Sequence, residues 1–260
     1  MNKLLKLEFR RLFMAKALYI CLTISVAMLL ISAATTKLLL NALSAESIDE
    51  MEGLGAMALQ APTSLSLLKG IGSSSLLTIL AVFIPLFVTE EYSGDIIKNV
   101  YGRGFSRDVI YVSKYLSSLA ACMIIILIDA AASLFIGKAF FGEFGTADKN
   151  YAASLIAILL LLAAYHAMYF AISVSLRKTG AAIAVSIFAP LLITLLLSLG
   201  DAVIKSQKFS LTDYWISGRL TILSSSAVPT KEVLIGVLVG ALVLLACGAA
   251  GFFLNRKREN

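Results

Sequence analysis

Two runs of the chain, Tyr151 to Leu176 and Thr179 to Gly200, contain no Asp, Glu, Lys or Arg and are separated only by Arg177 and Lys178. About 20 predominantly apolar residues are needed for a helix to cross the hydrocarbon core of a bilayer, so each run is long enough to do so. Ala17 to Thr36, Gly70 to Thr89 and Val233 to Leu254 are uncharged in the same way, and Tyr115 to Gly137 carries one charge, Asp129. None of these runs alternates with the period of two that the wall of a membrane barrel requires. The expected fold is therefore all-α: one polytopic transmembrane domain over 1–260, with six spans at about 17–36, 70–89, 115–137, 151–176, 179–200 and 233–254.

Composition closes the alternatives. The chain is 59% hydrophobic and 15% charged, and 22 basic with 16 acidic residues cannot cover the surface of a soluble protein this apolar. A soluble enzyme and a disordered chain are excluded on those figures. Cys21, Cys122 and Cys247 all lie inside apolar runs, so no disulfide framework is indicated. No aqueous segment gathers a nucleophile, a base and an orienting group, so no catalytic residue and no enzymatic activity are expected. Glu46, Asp49, Glu50 and Glu52 read as a solvated acidic turn, and no metal site is expected.

Basic residues flanking spans are retained in the cytoplasm. Fourteen of the 22 Lys and Arg fall on the side that six spans give to both termini, in 1–16, 90–114, 177–178 and 255–260. The expectation is a multi-pass protein of the cell membrane with both termini cytoplasmic. The net charge of +6 calls for no nucleic acid, because it sits where anionic lipid headgroups attract it. Ser32, Ala33 and Ala34 look like a signal-peptide cleavage site, but the preceding apolar run fills a whole membrane thickness, which makes it an uncleaved first span.

Two segments on the expected cytoplasmic side are patterned. In residues 1–16, Leu5, Phe9, Leu12 and Phe13 recur at helical spacing with Lys3, Lys6 and Arg10 elsewhere on the wheel. Such a helix suits the membrane interface, its basic groups on lipid phosphates and its Leu and Phe side chains in the acyl boundary. In the loop 90–114, Ile96, Ile97, Val100 and Tyr101 make a narrow stripe opposite Asp95, Lys98 and Asn99. Gly102 and Gly104 break that helix, and Ser106 is placed to cap the next one, with Asp108 in its first turn. Glu90, Glu91, Arg103 and Arg107 would present a polar platform to a cytoplasmic partner; the competing reading is a solvated connection.

The stretch EEYSGDIIKNVYGRGFSRDVIYVSK, Glu90 to Lys114, resembles the loop between the second and third spans of ABC-2 type ABC transporter permeases. Glu90 or Glu91 matches the Glu that ends the second span there, Gly94 the following Gly, Ser106 and Arg107 the Ser-Arg pair, and Lys114 the Lys that opens the third span. Asp95 stands where the family usually has Thr, and Phe105 where Pro is common. The opening LLKLEFRRLF and the six-span layout are similar as well. The resemblance implies a permease half that pairs with a second half, as a homodimer or heterodimer, and with cytoplasmic ATPase subunits. Those subunits would grip a coupling helix in this loop through Glu90, Glu91, Gly94, Asp95, Lys98, Arg103, Ser106 and Arg107. No G-x-x-x-x-G-K-[ST] phosphate loop occurs in the chain, so no cofactor is expected on it, and ATP and Mg would be bound by the partner ATPase. The cargo implied is amphipathic: drug-like, lipid-like or a peptide.

Asp129 is the one charged residue inside the spans, and His166, the only histidine, lies in the fourth. Each could contact cargo or a proton, or could simply be hydrogen-bonded within the bundle. They support an alternative function, an ion-gradient-driven secondary transporter or channel. A third reading is a non-transporting sensor or immunity subunit. Gly236 and Gly240 form a G-x-x-x-G that permits close helix approach. The loop 201–232 holds Tyr214 and Trp215, and its ISGRLTILSSSAV stretch mixes helix and strand character. The ABC-2 resemblance implies short outer helices there.

Overall fold

The computed structural model describes residues 2–45, 62–72, 74–93, 106–204, 210–225 and 227–258. The described chain is helical throughout: α1 Asn2–Met14, α2 Lys16–Ala45, α3 Ser64–Lys69 continuing as a 3-10 turn Gly70–Gly72, α4 Ser74–Ser93, α5 Arg107–Phe141, α6 Tyr151–Leu176, α7 Thr179–Ile204, a 3-10 turn Thr212–Tyr214, α8 Ile216–Leu223 and α9 Thr230–Arg258. Five of these helices are long and apolar enough to cross a membrane, and a sixth crossing is available if the pair Ser64–Gly72 and Ser75–Glu90, bent by 43°, acts as one span. The protein is a multi-pass helical membrane protein.

The long helices form because their apolar runs contain few residues that break them. Pro85 and Pro190 fall inside α4 and α7, where Thr89 Oγ1 and Thr194 Oγ1 donate to the two proline carbonyls at 2.7 and 2.9 Å. Prolines occur inside membrane helices more readily than in soluble ones, and these i−4 hydroxyl bonds accompany them here. α5 stops at Gly142, whose φ of 77° puts it in the left-handed region. α6 stops at Arg177 in the same conformation, at φ 55°, and its N–H returns to Ser173 O at 3.0 Å.

α6 is the centre of the bundle: 61% of its apolar window is buried, against 11% for α7 and 17% for α2 and α9. α9 lies along α6, and at Gly251 an added Cβ would stand 2.6 Å from Tyr111 Oη and 3.2 Å from Ala171 Cβ. Phe83 and Ile84 of α4, Cys122 and Ile125 of α5, and Leu161 and Tyr165 of α6 fill the core. The outward faces are as apolar as the interior. Leu191, Leu192, Leu195, Leu196 and Leu199 of α7 and Leu234, Leu238, Leu242 and Leu245 of α9 are all exposed, as helix faces that meet lipid must be.

Contacts sort the connections onto two ends. Arg11, Glu90, Tyr111, Thr179 and Gly251 gather at one, which carries α1 and the last turns of α9 and is here termed the terminal end. α3 with its 3-10 turn, residues 142–150 and residues 210–230 gather at the opposite end.

Two expectations are corrected and one open reading is decided. The run 70–89 is not one helix from its start, since the 3-10 turn at Gly70–Gly72 precedes α4; two glycines inside an apolar run weaken helix continuity. α1 does not turn its whole apolar stripe toward lipid: Leu4, Glu8 and Leu12 are buried against the bundle, where α1 packs on α5, and Phe9 is half-buried. The exposed face instead carries Lys6, Leu7, Arg10, Phe13 and Met14. In 201–232, where strand character competed with the short outer helices that the resemblance implied, the described elements are helical: the end of α7, the 3-10 turn, α8 and the start of α9. The acidic turn at Glu46, Asp49, Glu50 and Glu52 lies outside the described residues.

Candidate functional site

At the terminal end, an ionic cluster joins α1 to the ends of α4 and α5. Arg11 Nη2 donates to Glu90 Oε2 at 3.1 Å, and the Arg11 guanidinium also lies 5.7 Å from the Phe87 ring centre. Glu8, one turn before Arg11, is buried beside Lys114, which opens the membrane part of α5. Burial pushes the Glu8 carboxyl above its usual range, and the positive charges of Lys114 and Arg11 pull it part of the way back. Glu90 is 60% exposed, so its pair with Arg11 contributes little stability, about 0 to 1 kcal/mol, and serves to hold α1 in position. Next to it, Thr89 Oγ1, whose hydrogen lies on Pro85 O, accepts from Thr179 Oγ1 at 2.8 Å and links α4 to α7.

Ser106 stands before α5 in extended conformation with no side-chain cap bond; its carbonyl accepts from Ile110 N at 3.2 Å, and Asp108 lies in the first turn. Gly94, Asp95, Lys98 and Arg103 lie outside the described residues. Glu91 and Arg107 fall within α4 and α5, and Lys3 within α1, but their side chains are outside the described set. The sequence-based residues that the structure brings together at this end are thus Glu90 and Lys114. Glu8 and Arg11, which the amphipathic reading passed over, join them; a lone Glu on the apolar side of a basic helix was the available signal.

A second polar group lies inside the bundle. Asp129 of α5 is 3% exposed, and its Oδ1 stands 2.7 Å from Ser25 Oγ of α2. Both residues line a small cavity with Leu29, Ile71, Ser75, Leu76 and Ile79, which has room for about one water molecule. An ionised carboxylate at this depth costs at least about 2.5 kcal/mol. His166 of α6 is fully buried elsewhere: its Nε2 is 2.9 Å from Ser118 Oγ, and its ring packs edge-on to Tyr115 at 5.2 Å and beside Phe170 at 6.1 Å. Asp129 and His166 therefore have separate partners and share no described cavity. Among the described residues, no three His, Cys, Asp or Glu side chains come together as a metal site.

The opposite end is closed by polar contacts that sequence reasoning missed. Lys69, at the end of α3, is buried, with Nζ 3.0 Å from Ser225 O, 3.6 Å from Asp148 Oδ2 and 5.2 Å from the Tyr151 ring centre. Ser224 Oγ donates back to Lys69 O at 3.0 Å. Arg219 of α8 is buried too, donating to Asp213 O and, at 2.5 Å, to Glu232 Oε2 at the start of α9. Asp201, in the last turn of α7, accepts from Ser210 Oγ, Leu211 N, Thr212 N and Thr212 Oγ1 at 2.5 to 3.0 Å. Asn150 Nδ2 donates to Val228 O and Thr230 Oγ1. Residues 210–230 are thus fastened to α3, α6, α7 and α9 as a cap over this end.

A family model described as "Protein of unknown function (DUF2705)" matches residues 56–259. The chain belongs to the DUF2705 family. No curated protein and no solved structure matches it. The matched region of this DUF2705 protein includes Glu90, Lys114, Asp129, His166, Lys69 and Arg219, and begins after α1 and α2. Glu8, Arg11 and Ser25, the partners supplied by the first two helices, lie before it.

Proposed function

We propose that this protein is a permease half of an ATP-driven exporter of the ABC-2 kind, working with a second permease half and with separate cytoplasmic ATPase subunits that bind ATP and Mg. The observation that carries the reading is the resemblance of Glu90 to Lys114 to the coupling loop of that class. The terminal-end cluster supports it. Arg11 with Glu90 ties α1 to the end of α4, and Glu8 beside Lys114 ties it to α5, so a push on the intervening loop would reach three helices at once. Such a linkage suits the transmission of nucleotide-driven closure into rocking of the spans. The fold supplies apolar helix faces that would pair with a second half and with lipid, and a path between halves would favour amphipathic cargo. On this reading the terminal end is cytoplasmic, and the cap of residues 210–230 closes the outer end.

The ion-driven alternative asks Asp129 and His166 to act together, and their separate surroundings favour it less. The test is charge reversal at Glu90 and Glu91 together, set beside Arg11→Glu. The double reversal should release the co-purifying ATPase while the permease stays folded in the membrane; Arg11→Glu, which breaks the same ion pair without altering the loop, should retain it. Unchanged co-purification after the double reversal would contradict the proposal.

A further inference from the structure

The hydrogen bonding around Asp129 accommodates a proton on that residue. Ser25 Oγ stands 2.7 Å from Asp129 Oδ1 and 3.1 Å from the carbonyl oxygen of Leu22. A serine hydroxyl has one hydrogen and two lone pairs. With Asp129 ionised, the single Ser25 hydrogen goes to the carboxylate or is shared with Leu22 O, as that of Ser224 is shared between Lys69 O and Leu220 O. With a proton on Asp129 the chain is complete: the acid O–H donates to Ser25 Oγ, and the Ser25 O–H donates to Leu22 O.

The number of donors points the same way. Buried carboxylates that stay ionised accept two or three hydrogen bonds or face a cation. Even Asp201, only half-buried at the end of α7, accepts four. Among the described residues, Ser25 is the one hydrogen-bond partner of Asp129. The residues facing it across the cavity are Ser25 and Leu29 from α2, Ile71 from the 3-10 turn, and Ser75, Leu76 and Ile79 from α4, none of them charged. α4 starts at Ser74, so the positive end of a helix lies near the cavity, but no described N–H of its first turn donates to the carboxyl.

We infer that Asp129 is a proton-binding site, with the adjoining cavity as its contact with water. The oxygen-bearing side chains there are Asp129, Ser25 and Ser75, too few for a hard metal cation, which takes about six oxygen ligands. A proton needs only one. Binding transfers a proton from hydronium in the cavity to the carboxylate and leaves water behind; release reverses the transfer when α2 or α4 moves away from α5 and exposes the carboxyl. The inference goes beyond the permease reading and holds whatever drives the bundle.

Infrared spectroscopy of the full-length chain in phosphatidylcholine vesicles at neutral pH tests it. The wild-type minus Asp129→Asn difference should show a carboxylic acid C=O band that shifts in heavy water and is missing from the variant. Ser25→Ala, which keeps the carboxyl and removes its acceptor, should retain the band and shift its frequency; it carries the test alone if Asp129→Asn does not accumulate. Loss of ionised carboxylate bands in the Asp129→Asn difference, or an acid band unmoved by Ser25→Ala, would overturn the assignment.

Discussion

Burial and nearby cations act in opposite directions on Glu8, and burial is the larger effect. A carboxyl whose folded pKa is raised binds its proton more tightly in the folded chain. Glu8 therefore adds stability as pH falls through its raised value toward the ordinary 4.5, and subtracts it at neutral pH. Glu8→Gln should raise the unfolding midpoint in detergent at neutral pH, with the gain shrinking as the buffer is made acidic; thermal scans over that window check it. A variant less stable than wild type at neutral pH would mean that the attraction of Lys114 and Arg11 exceeds the cost of burial. At this scale the sequence exposed the rare groups and hid their partners. Asp129 and His166 stand out because apolar runs surround them, whereas Ser25 and Ser118 look like any small residue that a membrane helix packs. Lys69 and Arg219 pass for flanking charges until the fold buries them.

Among the elements, the packing of α9 against α5 and α6 depends on Gly251, where Tyr111 Oη and Ala171 Cβ leave no space for a side chain. Gly251→Leu should separate α9 from α6 and destabilise the bundle by about 1 to 3 kcal/mol, read as a lower unfolding midpoint. The cap at the opposite end is held through Arg219, which spans Asp213, Tyr214 and Glu232. Arg219→Ala should loosen α8, so that a cysteine placed at the buried Leu223 in a cysteine-free chain reacts with a polar maleimide; equal labelling with and without the substitution would show that the cap does not depend on this residue. Helices were legible because an uncharged run sets the length an element can reach. Continuity was less so: the same run that contains α4 opens with Gly70 and Gly72, and run length does not register that break. α1 shows another limit, since a stripe built for α5 and a stripe built for lipid have the same helical period, and Leu12 went to the bundle while Phe13 stayed exposed.

For the whole molecule, membrane character was legible in composition, because a chain this apolar cannot cover itself with polar groups, and its helical form in uncharged runs of span length that do not alternate. The two-ended arrangement follows from contacts that pattern cannot supply, such as Arg11 with Glu90 at one end and Lys69 with Ser225 at the other. Orientation rests on the distribution of Lys and Arg. It predicts that a single cysteine at Asn260 is labelled only by reagents that reach the cytoplasm, and labelling from outside intact cells would reverse it. The central claim is that the bundle is moved by another chain. Its most direct test is purification of the tagged protein from native membranes in mild detergent, with mass spectrometry of what accompanies it, under conditions shown to preserve a known ABC assembly. The account predicts a stoichiometric partner that carries a phosphate-binding loop; a preparation in which the chain comes alone would contradict it.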